Sequence, residues 1–246
     1  LAVWPIVHFA NEEQKKKYLP KSAKGELIPA FALTEREAGS DAANQKTVAI
    51  LQGDHFVING EKIYIMHGDV CDFAVLFCRI GEDGDRPKVS TILVDAHQPG
   101  WKGFTLMHKM GMRAATTGRI EIKDYKVPAS NQMGEVGKGF RYAMATLDGA
   151  RIGVAAQGLG IAQRALDESV KHAKTRIAFG APIAKLQAIQ WMIADMATQL
   201  EAARLMTYKA AVLQDKGEKF SLEASQAKLF STEAANFCVD RAVQIH

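Results

Sequence analysis

The hydrophobic period of this chain changes once, and that change limits what it can build. From about Ile28 to Tyr125 the apolar residues come in short runs. "TVAILQGDHFVING" is two such runs around Gly53-Asp54, the pattern of a hairpin. "KIYIM", "DFAVLFCRI", "STILVDA", "GFTLM" and "GRIEIKDY" follow, separated by "GEDGD", "HQPG" and other turn residues. Short strands with no helix between them predict an antiparallel barrel or sandwich. After "KVPASNQMGEVGKG" the period becomes 3.6, predicting one helix from Phe140 to Arg176. A second carries the stripe Leu186, Ile189, Ile193, Met196 and Leu200, and a third starts from Ser221 as its N-cap. Strands first and helices afterwards give an α+β chain.

Ahead of the strands, Asn11 and Gln14 have the spacing of a capping box, and Pro20 is expected to close that short helix. The expected organisation is therefore a helical remnant over 1–28, a middle β domain over 29–130 and a helical bundle over 131–246. Three amphipathic helices bury their stripes best in a four-helix arrangement. The fourth is expected outside this chain or from a neighbouring subunit. The start at "LAVWPIVHF", without Met, fits a piece of a longer protein.

Composition removes several function classes. Lys+Arg 31 against Asp+Glu 27 leaves a net charge of +4, interspersed along the chain, with no basic stripe interleaved with aromatics. Cys71, Cys78 and Cys238 are odd in number and form no CxxC pair, which argues against a disulfide framework or zinc site and for a reducing compartment. Histidines 8, 55, 67, 97, 108, 172 and 246 show no metal-ligand spacing. Neither Gly158 and Gly160 nor the cluster Gly134, Gly137 and Gly139 follows a strand and opens a helix at the spacing of a dinucleotide fingerprint. No apolar run approaches a membrane span.

Four stretches remain: "FALTEREAGSD" at Phe31 to Asp41, "EKIYIMHGDVCDFAVLFCR", the long "LDGARIGVAAQ…RIAFGAPIAKLQAIQ" segment and the terminal "AVQIH". With these, in order over nearly its whole length, the chain resembles the acyl-CoA dehydrogenases. "RIAFGAPIAKLQAIQ" is most similar to the short-chain, butyryl-CoA-like branch.

The resemblance implies an FAD enzyme with an N-terminal helical domain, here mostly absent, a middle β domain and a C-terminal four-helix domain. Its reaction takes a proton from the α carbon of an acyl-CoA thioester and a hydride from the β carbon, the hydride going to flavin N5. Electrons pass to an electron-transferring flavoprotein. By resemblance, Phe31, Leu33 and Thr34 line the flavin through backbone groups and the Thr34 hydroxyl, Gly39 is among the cofactor-binding residues, and Ser40 meets the cofactor pyrophosphate and the substrate side. Tyr64 and Met66 flank the flavin ring, and Asp148 and Arg151 meet the CoA portion. Arg176, Phe179, Gln187 and Gln244 bind the adenosine end of FAD in a neighbouring subunit, which implies a homodimer or homotetramer.

Two departures stand out. Relatives commonly read Trp-Ile-Thr-Asn where this chain has Tyr64-Ile65-Met66-His67, and Pro-Gly where it has Arg36-Glu37. The alternative base position is Ala150, which carries no acid, so the glutamate base is expected beyond His246. Met66 keeps open an acyl-CoA oxidase or other altered CoA-thioester chemistry, and a chain lacking its base keeps open a non-catalytic flavin- or CoA-binding scaffold. Bacterial cytoplasm and mitochondrial matrix both fit.

Overall fold

A computed structural model describes residues 1–81, 88–106 and 109–246, which divide into two units, Leu1–Thr146 and Leu147–His246. The turn expected at "GEDGD" past Gly81, the end of the "GFTLM" run and His108 lie outside the described residues.

The first unit opens with α1 (Val3–Phe9) and α2 (Glu12–Ala23). The Asn11 side chain accepts from the Gln14 backbone while Gln14 reaches back to the Asn11 N–H, the expected capping box. Pro20 does not end the helix; it lies inside it. A proline removes one N–H and crowds one carbonyl, which a single turn survives when the rest is capped. The stop comes at Gly25, φ 74°, where the Gly25 N–H bonds Ser22 O and the Glu26 N–H bonds Lys21 O. That left-handed residue with its paired return bonds satisfies carbonyls the helix would leave open. Buried Gln14 then donates to Ser130 O and Gln132 O, joining α2 to the end of the sheet.

The strands are β1 (Pro29–Ala32), β2 (Val48–Gln52), β3 (His55–Met66), β4 (Phe73–Ile80), β5 (Lys88–Asp95), β6 (Trp101–Thr105), β7 (Thr117–Pro128) and β8 (Gln132–Met133). The β2–β3 hairpin forms at Gly53-Asp54 as expected, with φ 64° at Gly53. The order is β6-β7-β3-β2-β4-β5-β8, with β1 added against β4. Most pairs are antiparallel, but β1 and β2 each pair β4 in parallel, so the sheet is mixed and open rather than an antiparallel barrel. The parallel pairs are far apart in sequence, and local patterning carries no sign of them. Six consecutive residues of β4, Phe73 to Cys78, are buried, which is why that stretch reads as an unbroken apolar run.

One consequence positions the site. β1 lies against Phe73 to Leu76 and β2 against Arg79 and Ile80, end to end on the same edge of β4. The chain leaves that edge after Ala32, makes an excursion, and returns to it at Val48.

α3 (Gly139–Thr175) starts at the end of the first unit and continues into the second. There follow a hairpin of β9 (Ile177–Ala178) and β10 (Ala181–Pro182), then α4 (Gln187–Asp215) and α5 (Ser221–Ile245). Small residues let these helices approach closely. Ala155, Ala210 and Ala227 form one buried cluster, and a Cβ at Gly158 would lie 2.9 Å from Ser231 O. Leu159, Met196, Leu200 and Cys238 fill the larger core. The N-cap of α5 is Phe220, without a side-chain cap, rather than Ser221. Ser221 is the first helical residue, and its hydroxyl donates instead to Asp148.

Candidate functional site

In the first unit the site is built on the excursion from Leu33 to Thr47. The Thr34 carbonyl accepts from the Ile63 N–H at 3.0 Å, so the excursion begins alongside β3. Next on β3 is Tyr64, at φ 58°, in a register shift between Lys62 and Ile65. A bulky residue in the left-handed region is strained, and such strain persists where surrounding structure enforces it. The shift leaves Ile63 and Ile65 buried and turns Tyr64 and Met66 outward, 60% and 54% exposed. Phe31 is half-buried in β1, its ring 4.7 Å from that of Phe77.

Leu33 is buried, and both of its backbone groups are taken within the chain: its N–H by Phe31 O, its carbonyl by Lys62 and Gln45. Among the described residues the Thr34 and Ser40 hydroxyls have no hydrogen-bond partner. Gly39 is exposed, and a Cβ there would meet nothing within 4 Å. Among the described residues nothing requires a glycine at 39, whereas close approach of a ligand to the backbone would.

Behind the excursion lies a cluster that motif reading did not find. Lys62 is fully buried, and its Nζ donates to Glu35 Oε1 at 2.8 Å, Leu33 O at 3.0 Å and Gln45 Oε1 at 3.1 Å. Three acceptors need three donors, which only the ammonium supplies. Glu35 also accepts from the Lys46 N–H at 2.6 Å and the Thr47 N–H at 3.1 Å. Burial works to raise the Glu35 carboxyl, but Lys62 and these bonds outweigh it and hold it below the usual carboxylate range. A signal was present in the sequence: Lys62 shares the strand phase of Phe56 and Ile58, both buried.

The end of β3 is held separately. The Asp69 carboxylate accepts from the hydroxyls of Thr105 and Thr116, and the His67 N–H bonds Thr116 O. A Cβ at Gly103 would lie 2.5 Å from Gly68 O, and one at Gly118 would lie 2.6 Å from Asp69 N. The turn after Met66 is thus clasped between two glycines that cannot be larger.

The second unit places the remaining residues. On α3, Arg151 pairs with one oxygen of Asp148 while Ser221 bonds the other, and half-buried Ala150 lies between them in sequence. The β9–β10 hairpin turns through Phe179 and Gly180, φ 54° and 77°, and lifts Phe179 to 95% exposure. Arg176 precedes that hairpin and Gln187 begins α4, both exposed. Exposed Gln244 lies near the end of α5, beside the end of α3, where the His172 and His246 rings are 4.5 Å apart.

Family models match the chain in order: the acyl-CoA dehydrogenase N-terminal domain over residues 1–26, the middle domain over 30–125 and the C-terminal domain over 137–246. The chain belongs to the acyl-CoA dehydrogenase family. It is 44% identical over 243 residues to the short-chain specific acyl-CoA dehydrogenase of Clostridium acetobutylicum, covering 98% of this chain and 63% of that protein. It is 45% identical over 246 residues to the caffeyl-CoA reductase-Etf complex subunit CarC of Acetobacterium woodii, covering 100% of this chain and 65% of that one. Among solved structures, butyryl-CoA dehydrogenase from Megasphaera elsdenii superposes with a TM-score of 0.92 at 40% identity, over 98% of this chain and 63% of that one. The chain therefore spans somewhat under two thirds of the length of these relatives.

Proposed function

We propose that the protein of which this chain is part is an FAD-dependent acyl-CoA dehydrogenase that desaturates a short acyl-CoA between its α and β carbons and passes electrons to an electron-transferring flavoprotein. The observation that carries this is the excursion at 33–47. It has two uncommitted hydroxyls, a glycine with open space before it and a strained aromatic beside it, all at positions that the resemblance assigns to FAD. The donor set fits: small residues for close backbone approach, hydroxyls for phosphate or ring oxygens, and Tyr64 as an aromatic wall.

FAD, when bound, supplies the hydride acceptor. The chain's own residues do the placing. Thr34 and Ser40 donate to the cofactor, and Ser40 also faces substrate. Leu33 acts by fixing Thr34, since its own backbone groups are engaged. Asp148 and Arg151 hold the CoA portion; Ala150 has nothing to titrate, and the α-proton base is expected elsewhere in the protein. Arg176, Phe179, Gln187 and Gln244 serve a neighbouring subunit. Their exposure supports this, as do the exposed apolar residues Trp191, Leu205, Tyr208 and Leu229 on α4 and α5 in a homodimer or homotetramer. Three buried free cysteines fit bacterial cytoplasm or mitochondrial matrix. No described helix is long and apolar enough to cross a membrane.

The similarity to the caffeyl-CoA reductase subunit favours a second reading, the same site run as an enoyl-CoA reductase. The site residues serve both directions, and Met66, where relatives commonly carry a hydroxyl, bears on the flavin's redox poise. Anaerobic addition of butyryl-CoA to the purified flavoprotein is the test. Bleaching of the flavin band supports desaturation. Reoxidation of chemically reduced flavin by an enoyl-CoA, without bleaching by butyryl-CoA, supports the reductase. No response to either sinks both readings.

A further inference from the structure

Lys62, Glu35 and Gln45 draw together three separate pieces of chain: the start of the excursion, its return and strand β3. Glu35 closes the neck by taking the N–H groups of Lys46 and Thr47, and Gln45 donates its amide N–H to Leu33 O at 3.4 Å. The residues between, 36–44, include Gly39 and Ser40. Outside the neck, Arg36 pairs with Glu61 and Lys46 with Glu37, both exposed and worth little. The strong closure is the buried one. An ion pair stripped of water is a poor way to stabilise a core, because an apolar replacement of similar volume is often as good or better. Its worth here is geometric: the ammonium's donors fix three acceptors at once, and the carboxylate fixes two consecutive amides.

We propose that Lys62 is a positioning residue, locking the neck of the 33–47 excursion through Glu35, Gln45 and the Leu33 carbonyl so that Thr34, Gly39 and Ser40 are set before the cofactor arrives. Preorganisation of this kind raises affinity by removing the ordering cost from the binding step. The role rests on the FAD reading only for what the loop receives; the lock itself belongs to the chain.

The test compares the protein with the double variant Lys62→Met/Glu35→Gln, which removes both charges together and leaves neither stranded. Amide exchange and FAD affinity are measured on each, with cooperative melting as the check on folding. The double variant should melt cooperatively, exchange amides of residues 36–47 at least about tenfold faster, and bind FAD at least about tenfold more weakly. Unchanged exchange at 36–47 in the folded variant overturns the proposal, as does FAD affinity within twofold of the parent. Gln45→Leu, which carries no charge change, serves if the double variant does not fold; it should speed exchange at the same residues, and no acceleration there overturns the lock. Failure of the unaltered protein to take up FAD defeats the cofactor reading alone, and the exchange result still decides the lock.

Discussion

The Ser221 hydroxyl, on the first residue of α5, donates to Asp148 on α3, and the other oxygen of that carboxylate is held by Arg151. Asp148 thus has both oxygens engaged: it holds the guanidinium of Arg151 on its own helix, and a residue on a different helix fixes the carboxylate. Ser221 caps nothing in its own helix, so its removal should act on binding rather than on helix stability. Ser221→Ala is expected to raise the KM for acyl-CoA about fivefold, the equivalent of one lost hydrogen bond of about 1 kcal/mol, with kcat nearly unchanged. Steady-state kinetics with a dye acceptor check this; a fall in kcat at constant KM would contradict it.

Gly103 cannot take a side chain, because its Cβ would meet Gly68 O at 2.5 Å and Asp69 Cα at 2.8 Å, both backbone. Gly103→Ala should destabilise by about 1–3 kcal/mol, as overpacking of a fixed backbone does. The displaced turn follows Met66, so the flavin spectrum should change as well. Gly111→Ala is the control: a Cβ there meets nothing within 4 Å, and its melting temperature should match the parent.

The exposed pair His97–Asp72 gives a pH signature. His97 Nε2 lies 2.9 Å from Asp72 Oδ1, and Asp72 Oδ2 accepts from the Ile28 N–H at 2.7 Å. The bond to Asp72 raises the His97 pKa, so its contribution is complete below the unfolded histidine value and fades as pH rises through the folded one. The Ile28 N–H and then His97 lower the Asp72 carboxyl, so that contribution is complete above the unfolded aspartate value and fades as pH falls through the folded one. Both are at full strength between about pH 4 and pH 6.5. Solvent screening keeps the effect below about 1 kcal/mol. His97→Gln should lower the melting temperature within that window and leave it unchanged above about pH 8; a uniform loss across pH would refute the pairing.

Burial pushes the Cys71 and Cys78 thiols up to about 12 and also raises Cys238. Thiolates are the reactive form, so the native protein should resist alkylation at pH 8. All three cysteines should label on unfolding, which mass spectrometry counts directly.

The organisation was legible where patterning is local. The capping box at Asn11, the Gly53-Asp54 hairpin and the three long helices follow from spacing, and "FALTEREAGSD" marks the excursion that carries Thr34 and Ser40. What escaped depends on residues distant in the chain. The parallel seat of β1 and β2 on β4 leaves no periodic trace, and Ser221 could be told from an N-cap only once Asp148 stood opposite it. Lys62 was within reach, since its strand phase points inward, but a lysine read alone is taken for surface, and only Glu35 and Gln45 make burial tolerable.

The shared edge of β4 also sets an order of events during folding. β1 comes early in the chain, but its partner is β4, which follows β2 and β3. The excursion between β1 and β2 cannot close before then, because its neck needs a side chain from β3 and its two ends need an edge supplied by β4. Pairings this distant are slow to form. The segment that meets the cofactor should therefore become ordered only after β3 and β4 are in place, and refolding followed by flavin uptake should lag behind refolding followed by secondary structure.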